Sequence, residues 1–420
     1  MKLKLFLMTA ATMALVSSCS SDDVIKDNAE ANAITFSVTA NNASRSSSMY
    51  CNNNMPNDFK VWAEVDGKSY FAGEQYDRDG STSKYLPNGG EYRYWPSTAV
   101  RFYALKDYDQ GNFNWDGNMT QPTLTGFTPA TTADAQKDFI YAYNSGVRGD
   151  GDKNGAKTQE LNFRHALSQI VFKAEKKNSK IYVEIEGVTI KNVASQGTFT
   201  FPKGTDYTTD NFVNHNNANT APTTGAEGQQ TNQRSGLGTW TFTDDNKLAG
   251  NYTVSVLNAE NKPVVLLEDT PTNLTNNEGV DLDKAESYKK SFMLMPQKND
   301  VDYTPATPIG DPATTGQKCT YFLLNCRIWN LTSDENSFVA ANEVNLWGTN
   351  NGDGTYGYKQ LLVPVKINWE QGKKYIYTFI FNDKGNGGYD PETGKDVLIP
   401  IELNVTVDDF ALGTEETENL

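Results

Sequence analysis

The sequence predicts an all-β protein built as two β-sandwich domains in tandem, and three observations predict it. Apolar residues recur at period two in many short segments, the signature of half-buried strands. Gly, Pro, Asn and Asp punctuate those segments, as turns do. No amphipathic helix longer than about two turns is legible, and Lys284 to Lys290 is the best short candidate. Many short strands with turns between them argue for sandwiches rather than alternating βαβ units. At roughly 100–200 residues per domain, 420 residues suit two domains.

The elements follow in order. Ile34, Phe36, Val38 and Ala40 alternate with polar residues and form a first strand. Phe59, Val61, Ala63 and Val65 repeat the pattern and stop at Asp66-Gly67, a hairpin signal. Val100, Phe102 and Ala104 form another strand after Trp95-Pro96. Leu161, Phe163, His165 and Leu167 share one face, then Ile170, Phe172 and Ala174 take the other, which predicts a bulge near Ser168 and Gln169. Ile181, Val183 and Ile185 alternate until Gly187 resets the phase to Val188 and Ile190, and Tyr252, Val254 and Val256 make a further set. Residues 375–381 are apolar on both faces except Thr378, as in a central sandwich strand. The polar stretch 173–180 marks a domain boundary, giving domains at 34–177 and 178–420. Residues 203–236, rich in Asn, Thr, Gly and Gln, are a surface insertion, and 301–317 a Pro- and Thr-rich loop.

The first 18 residues are a targeting segment. Lys2 and Lys4 precede a short apolar run, Leu5 to Val16, too short for a stable span. Val16-Ser17-Ser18-Cys19 reads as a lipobox, with Cys19 the lipidation site, residues 19–33 a linker and a lipid rather than a helix the membrane anchor. Ser20-Ser21-Asp22-Asp23 resembles the acidic export tag of Bacteroidetes surface lipoproteins, which implies an outer-membrane protein facing outward.

Composition excludes several functions. Fifty-two acidic against 37 basic residues, a formal net charge of −15, argue against nucleic acid as a partner. Two histidines make a His-built metal site improbable, and no cofactor or metal is expected. His165 reads as a packed, hydrogen-bonded residue and His215 as solvated. Asp150-Gly-Asp152-Lys-Asn154-Gly155 matches half of a calcium loop, but its twelfth position is Leu161, so a solvated turn is the expectation. No nucleophile-elbow, phosphate-loop or dinucleotide motif stands in strand–helix context, so no enzyme is expected. Tyr92, Tyr94 and Trp95 are candidates for stacking on sugars or for ordinary core and interface aromatics. Cys319 and Cys326 lie at odd separation, about 23 Å apart in a straight strand, and so cannot bridge. They read as small buried hydrophobes, and Cys51 makes the count odd.

Both ends of the mature chain are informative. Val397, Ile399, Ile401, Leu403, Val405 and Val407 give six apolar residues at strict period two, with Pro400 marking an edge or a break. This strand either completes its own domain or inserts into a neighbouring subunit as a donor strand, where each side chain would regain about 1.5–3 kcal/mol before ordering costs. Near the other end, Arg45 stands in the Ser-rich segment 41–48, either an uncut loop or the cleavage site of a trypsin-like protease.

Several segments, in order, resemble the fimbrillin family of Bacteroidetes pilus proteins. They are the lipobox at Cys19, Ile34-Thr-Phe-Ser-Val38 with Arg45, Tyr94-Trp-Pro96 with Val100-Arg-Phe-Tyr-Ala104, and Asp138-Phe-Ile-Tyr-Ala142. Phe163-Arg-His-Ala-Leu-Ser-Gln-Ile-Val-Phe172, Val188 to Val193 with Gly197-Thr-Phe199, Phe292-Met-Leu-Met-Pro-Gln297 and the end strand to Phe410 complete the set. The resemblance implies transthyretin-like domains, lipoprotein export, and fibres in which protease cleavage at Arg45 removes the first strand and a donor strand matching Val397–Val407 fills its groove. The expected partners are other pilus subunits, that protease and a host or bacterial surface ligand. The alternative is a monomeric, surface glycan-binding lipoprotein whose last strand serves its own domain.

Overall fold

The structure, a computed structural model, describes residues 33–40, 55–109, 111–115, 122–146, 158–201, 237–258, 261–275, 291–304, 317–332, 338–382, 387–395, 397, 401–409 and 416–418. It is all-β, as expected. The first unit is a closed sheet of seven strands: β1 (Phe36–Ala40), β2 (Asp58–Val65), β3 (Lys68–Arg78), β4 (Tyr85–Pro87), β5 (Val100–Lys106), β8 (Ile140–Gly146) and β9 (Gln159–His165). Around the ring the order is β1-β4-β3-β2-β5-β8-β9. The hairpin β2–β3 turns at Asp66 and Gly67, both with positive φ (50° and 75°), the primed turn that suits right-twisted strands. Closure depends on β1, which runs parallel to β9 from Phe36↔Gln159 to Ala40↔Phe163 and touches β4 at one pair, Phe36↔Tyr85. The inward residues, among them Ile34, Phe36, Phe59, Val61, Tyr76, Phe102 and Phe163, form one core.

The second unit is a sandwich of two six-stranded sheets. One contains β10 (Ser168–Lys176), β16 (Thr272–Asn273), β17 (Phe292–Leu294), β25 (Lys373–Phe381), β26 (Ile401–Asp409) and β27 (Glu416–Glu418). The other contains β11 (Ile181–Val193), β14 (Gly250–Ser255), β15 (Val264–Val265), β19 (Thr320–Asn330), β20 (Val344–Trp347) and β23 (Lys359–Val365). Their facing sides meet in a core where Phe322 packs edge-on against Phe172 at 4.8 Å and Tyr377 at 4.9 Å. β25 lies between β10 and β26 in its sheet, with Tyr375, Tyr377, Phe379 and Phe381 in the sandwich core and Ile376 in a second cluster on the other face, which explains its apolar residues on both faces. The register of β11 against β19 shifts between Ile185 and Gly187, the phase reset expected at Gly187. Two short ladders, β18 (Lys298–Asn299) with β24 (Ile367–Asn368) and β21 (Thr349–Asn350) with β22 (Tyr356–Gly357), trim the periphery.

A four-stranded sheet spans both units: β6 (Asn112–Asn114), β7 (Thr123–Phe127), β12 (Gly197–Thr200) and β13 (Thr239–Thr241). It roofs an aromatic cluster joining the outer face of the barrel (Trp62, Tyr103, Tyr141) to the outer face of the sandwich (Val171, Ile376). Tyr141 packs on Phe199 at 4.8 Å, its hydroxyl accepts the Gly238 N–H at 3.0 Å, and the Trp240 indole donates to Ala166 O at 2.7 Å.

Two expectations need correction. The phase change near Ser168 and Gln169 is not a bulge. β9 ends at His165, the chain bends at Ala166-Leu167, and β10 starts in the other sheet. For the same reason the chain leaves the barrel at Ala166-Leu167 rather than at 177, because β10 already pairs with β25. The charged stretch 173–180 is instead the end of β10 and its turn into β11. The sheet of the first unit closes on itself because β1 bridges β4 and β9.

Candidate assembly interface

The place of β1 is defined by what it touches. Ile34 and Phe36 are wholly buried and Ala33 nearly so. The Phe36 ring lies edge-on to Tyr76 (4.7 Å), Phe102 (5.2 Å) and Phe59 (6.1 Å), and edge-on pairs suit the ring quadrupoles. Val38 packs at the margin of the same core. Outside the ladder, the Ile34 N–H donates to Arg93 O at 2.7 Å, and the Gln159 N–H donates to Thr35 O at 2.8 Å. β1 therefore carries side chains that the core needs, on a short strand with one full ladder neighbour.

Among the described residues, two buried polar groups facing this core have no hydrogen-bond partner, the Tyr76 hydroxyl and the Trp95 indole N–H. Burial pushes the Tyr76 hydroxyl pKa well up, with the Glu74 carboxylate adding to the rise, so it stays a neutral hydroxyl. At the rim, His165 Nδ1 lies 2.8 Å from Asp138 Oδ1, and both residues are buried. That is the packed, hydrogen-bonded role read for His165, and it pins the end of β9 to the start of β8.

The C-terminal tail lies on its own sandwich. β26 runs antiparallel to β25 from Ile401↔Phe381 to Asp409↔Lys373. Ile401 and Val405 are buried, and Leu403 and Val407 pack partly against the sandwich core, so the period-two face is real. Glu402 points away, where it accepts a hydrogen bond from Asn382 at 2.9 Å. Among the described residues, the other edge of β26 carries the short β27, paired at three positions from Val405↔Glu418 to Val407↔Glu416. Val397 is buried ahead of this strand, its N–H donating to Gly388 O at 2.8 Å. Ile399 lies outside the described residues.

Other sites resolve as follows. Cys319 and Cys326 are free and buried on opposite faces of one strand run, Cys319 beside Tyr321 and Leu362, Cys326 in the sandwich core. Burial pushes the Cys319 thiol up to about 12. Trp95 is core, 5.6 Å from Phe102, while Tyr94 is exposed. Cys19, Arg45, Cys51, His215, the calcium-like loop 150–155, the insertion 203–236 and the short helix candidate 284–290 lie outside the described residues. Among the described residues no group of three or more His, Cys, Asp or Glu side chains is placed to hold a metal ion, and no helix is long and apolar enough to cross a membrane. Of the walls of the Phe36 site, Phe59 and Phe102 were visible as strand residues and Tyr76 was not, and nothing in the spacing of the three marks them as neighbours of β1.

Comparison with known proteins adds three findings. The family model described as fimbrillin-like matches residues 26–406. A fimbrial protein of Bacteroides vulgatus has a similar structure, at 11% identity and a TM-score of 0.50, covering 90% of this chain and 99% of that one. A protein of Bacteroides ovatus provisionally assigned to cell adhesion aligns at 11% identity and a TM-score of 0.42, over 91% and 99% of the two chains. No curated protein matches this chain.

Proposed function

The chain belongs to the fimbrillin-like family, and on that premise we propose that it is a structural, adhesive subunit of a cell-surface fimbria, assembled by strand exchange. In this reading the exported protein is anchored through lipid on Cys19, and an Arg-specific protease cuts after Arg45. The segment carrying β1 then leaves the barrel, and a C-terminal strand of a neighbouring subunit takes its place. The carrying observation is β1 with the residues that lead into it, which supply the wholly buried Ile34 and Phe36 and close the barrel through a single pair to β4. Its departure would expose an apolar groove with unpaired backbone groups, which favours capture of another strand. Head-to-tail capture does not close on itself, so it propagates as a fibre.

The donor segment is the β26 region, Val397 to Val407. Its apolar residues are aliphatic and alternate, and among the described residues its outer edge is covered by the three-residue β27. Release from β25 costs the burial of Ile401 and Val405, which insertion elsewhere would restore. The second reading, a monomeric glycan-binding surface lipoprotein, has its own support in the position of β26 on its own sandwich. Electrophoresis of protein from intact cells separates the two. SDS-resistant ladders built from chains lacking residues 19–45 support exchange; an uncut monomer that binds oligosaccharide saturably supports the alternative.

A further inference from the structure

We propose that the place of β1 selects an incoming strand with an aromatic side chain at the Phe36 position, so that the neighbour inserted there is a different chain rather than a second copy of this one. The inference rests on the strand-exchange reading above and names the partner's chemistry.

The geometry is specific about size. Phe36 is wholly buried, with three rings between 4.7 and 6.1 Å from its own. Those rings are fixed by other elements: Phe59 on β2, Tyr76 on β3 and Phe102 on β5. The three strands are held by long ladders, β2–β3 from Asp58↔Asp77 to Val65↔Lys68 and β2–β5 from Lys60↔Leu105 to Val65↔Val100. Walls fixed in this way cannot collapse onto a smaller side chain, so a shorter occupant leaves a void. The flanking inward positions, Ile34 and Val38, take aliphatic residues. The seat therefore reads aliphatic, aromatic, aliphatic at alternate residues.

This chain's own tail does not offer that pattern. Its inward positions are Ile401, Leu403, Val405 and Val407, with Ile399 and Val397 before them. The aromatic residue that follows, Phe410, is at even number, out of phase with the odd-numbered apolar face. No register of a straight strand from 397 to 407 sets an aromatic ring in the Phe36 site.

The test uses the full chain cut after Arg45, mixed with labelled synthetic peptides. One peptide is the tail, residues 397–409; two others carry Leu403→Phe or Val405→Phe, which cover the two central registers; a fourth is the chain's own residues 33–40. Incorporation is read as label retained on the protein in SDS gels without boiling. The expected result is at least about tenfold more uptake of one phenylalanine variant than of the unmodified tail. Equal or greater uptake of the unmodified tail overturns the inference and leaves strand exchange standing, with a second copy as the neighbour. Failure of every peptide, residues 33–40 included, overturns the exchange reading and the inference with it. A second measurement uses the uncut chain. Phe36→Leu places the tail's residue type in the site, and hydrogen exchange of the β1 amides should accelerate at least about tenfold. No acceleration shows that the site accepts leucine and also overturns the proposal.

Discussion

Replacing Phe36 by alanine probes how far β1 is structural cement for the barrel. The side chain is wholly buried and edge-on to three rings. Truncation of a buried Phe to Ala costs about 3–5 kcal/mol, the upper part applying where the surroundings cannot close the cavity. Here Phe59, Tyr76 and Phe102 sit on strands locked by the β2–β3 and β2–β5 ladders, so we expect about 4 kcal/mol. The barrel core is separate from the sandwich core, so the loss should be local. Hydrogen exchange followed by mass spectrometry reads both at once. Peptides from β2 and β5 should lose protection equivalent to this energy, while peptides from β11 and β19 should keep theirs. Ser37→Ala, a partly exposed position on the opposite face, should shift stability by less than about 0.5 kcal/mol. A loss below about 1 kcal/mol for Phe36→Ala would show that β1 is dispensable packing; equal loss in both units would refute the independence of the barrel.

Three further outcomes follow from buried groups. Burial raises the Tyr141 hydroxyl and the Cys319 thiol each to about 12, so both are neutral acids held above their ordinary values near 10 and 9. The unfolded chain then releases these protons first, and stability present below about pH 9 should decline as pH rises toward 12, seen as a falling midpoint in urea titrations. An unchanged midpoint between pH 8 and 11 would contradict the burial assigned to them. The Cys319 and Cys326 thiols should resist alkylation in the native protein and react fully in denaturant, as peptide mapping by mass spectrometry would detect; rapid native labelling of either would place it at the surface. Gly250→Ala sets a Cβ 2.7 Å from Ala194 O and 2.8 Å from Val193 O, both backbone, so β14 must shift against β11. A destabilisation of about 1–3 kcal/mol is expected in thermal unfolding, and a neutral result would mean that this strand pair is loosely held.

Much of the fold is legible because burial imposes a period. Ile34 to Val38, Phe59 to Val65 and Ile181 to Ile190 alternate because one face meets a core, and Tyr375 to Phe381 does not because β25 has cores on both sides. Asp66-Gly67 announces its turn through the need for positive φ. Partner choice leaves no such trace. Nothing in Phe36 to Ala40 says that the strand lies parallel to β9, and a phase change at Ser168 looks the same whether the strand bulges or crosses to another sheet. The short β27 has no apolar alternation at all and is held by its ladder with β26. Of the candidate site, the alternating ends of the chain were visible in the sequence, whereas the ring cluster around Phe36 needed the fold to assemble it.

Strand exchange is tested most directly by sequencing the N-terminus of this protein in fibres shaved from intact cells. The account predicts chains that begin at Ser46, immediately after Arg45, within polymers that survive SDS. Assembled chains that still begin at the lipidated Cys19 and keep residues 33–40 would contradict it.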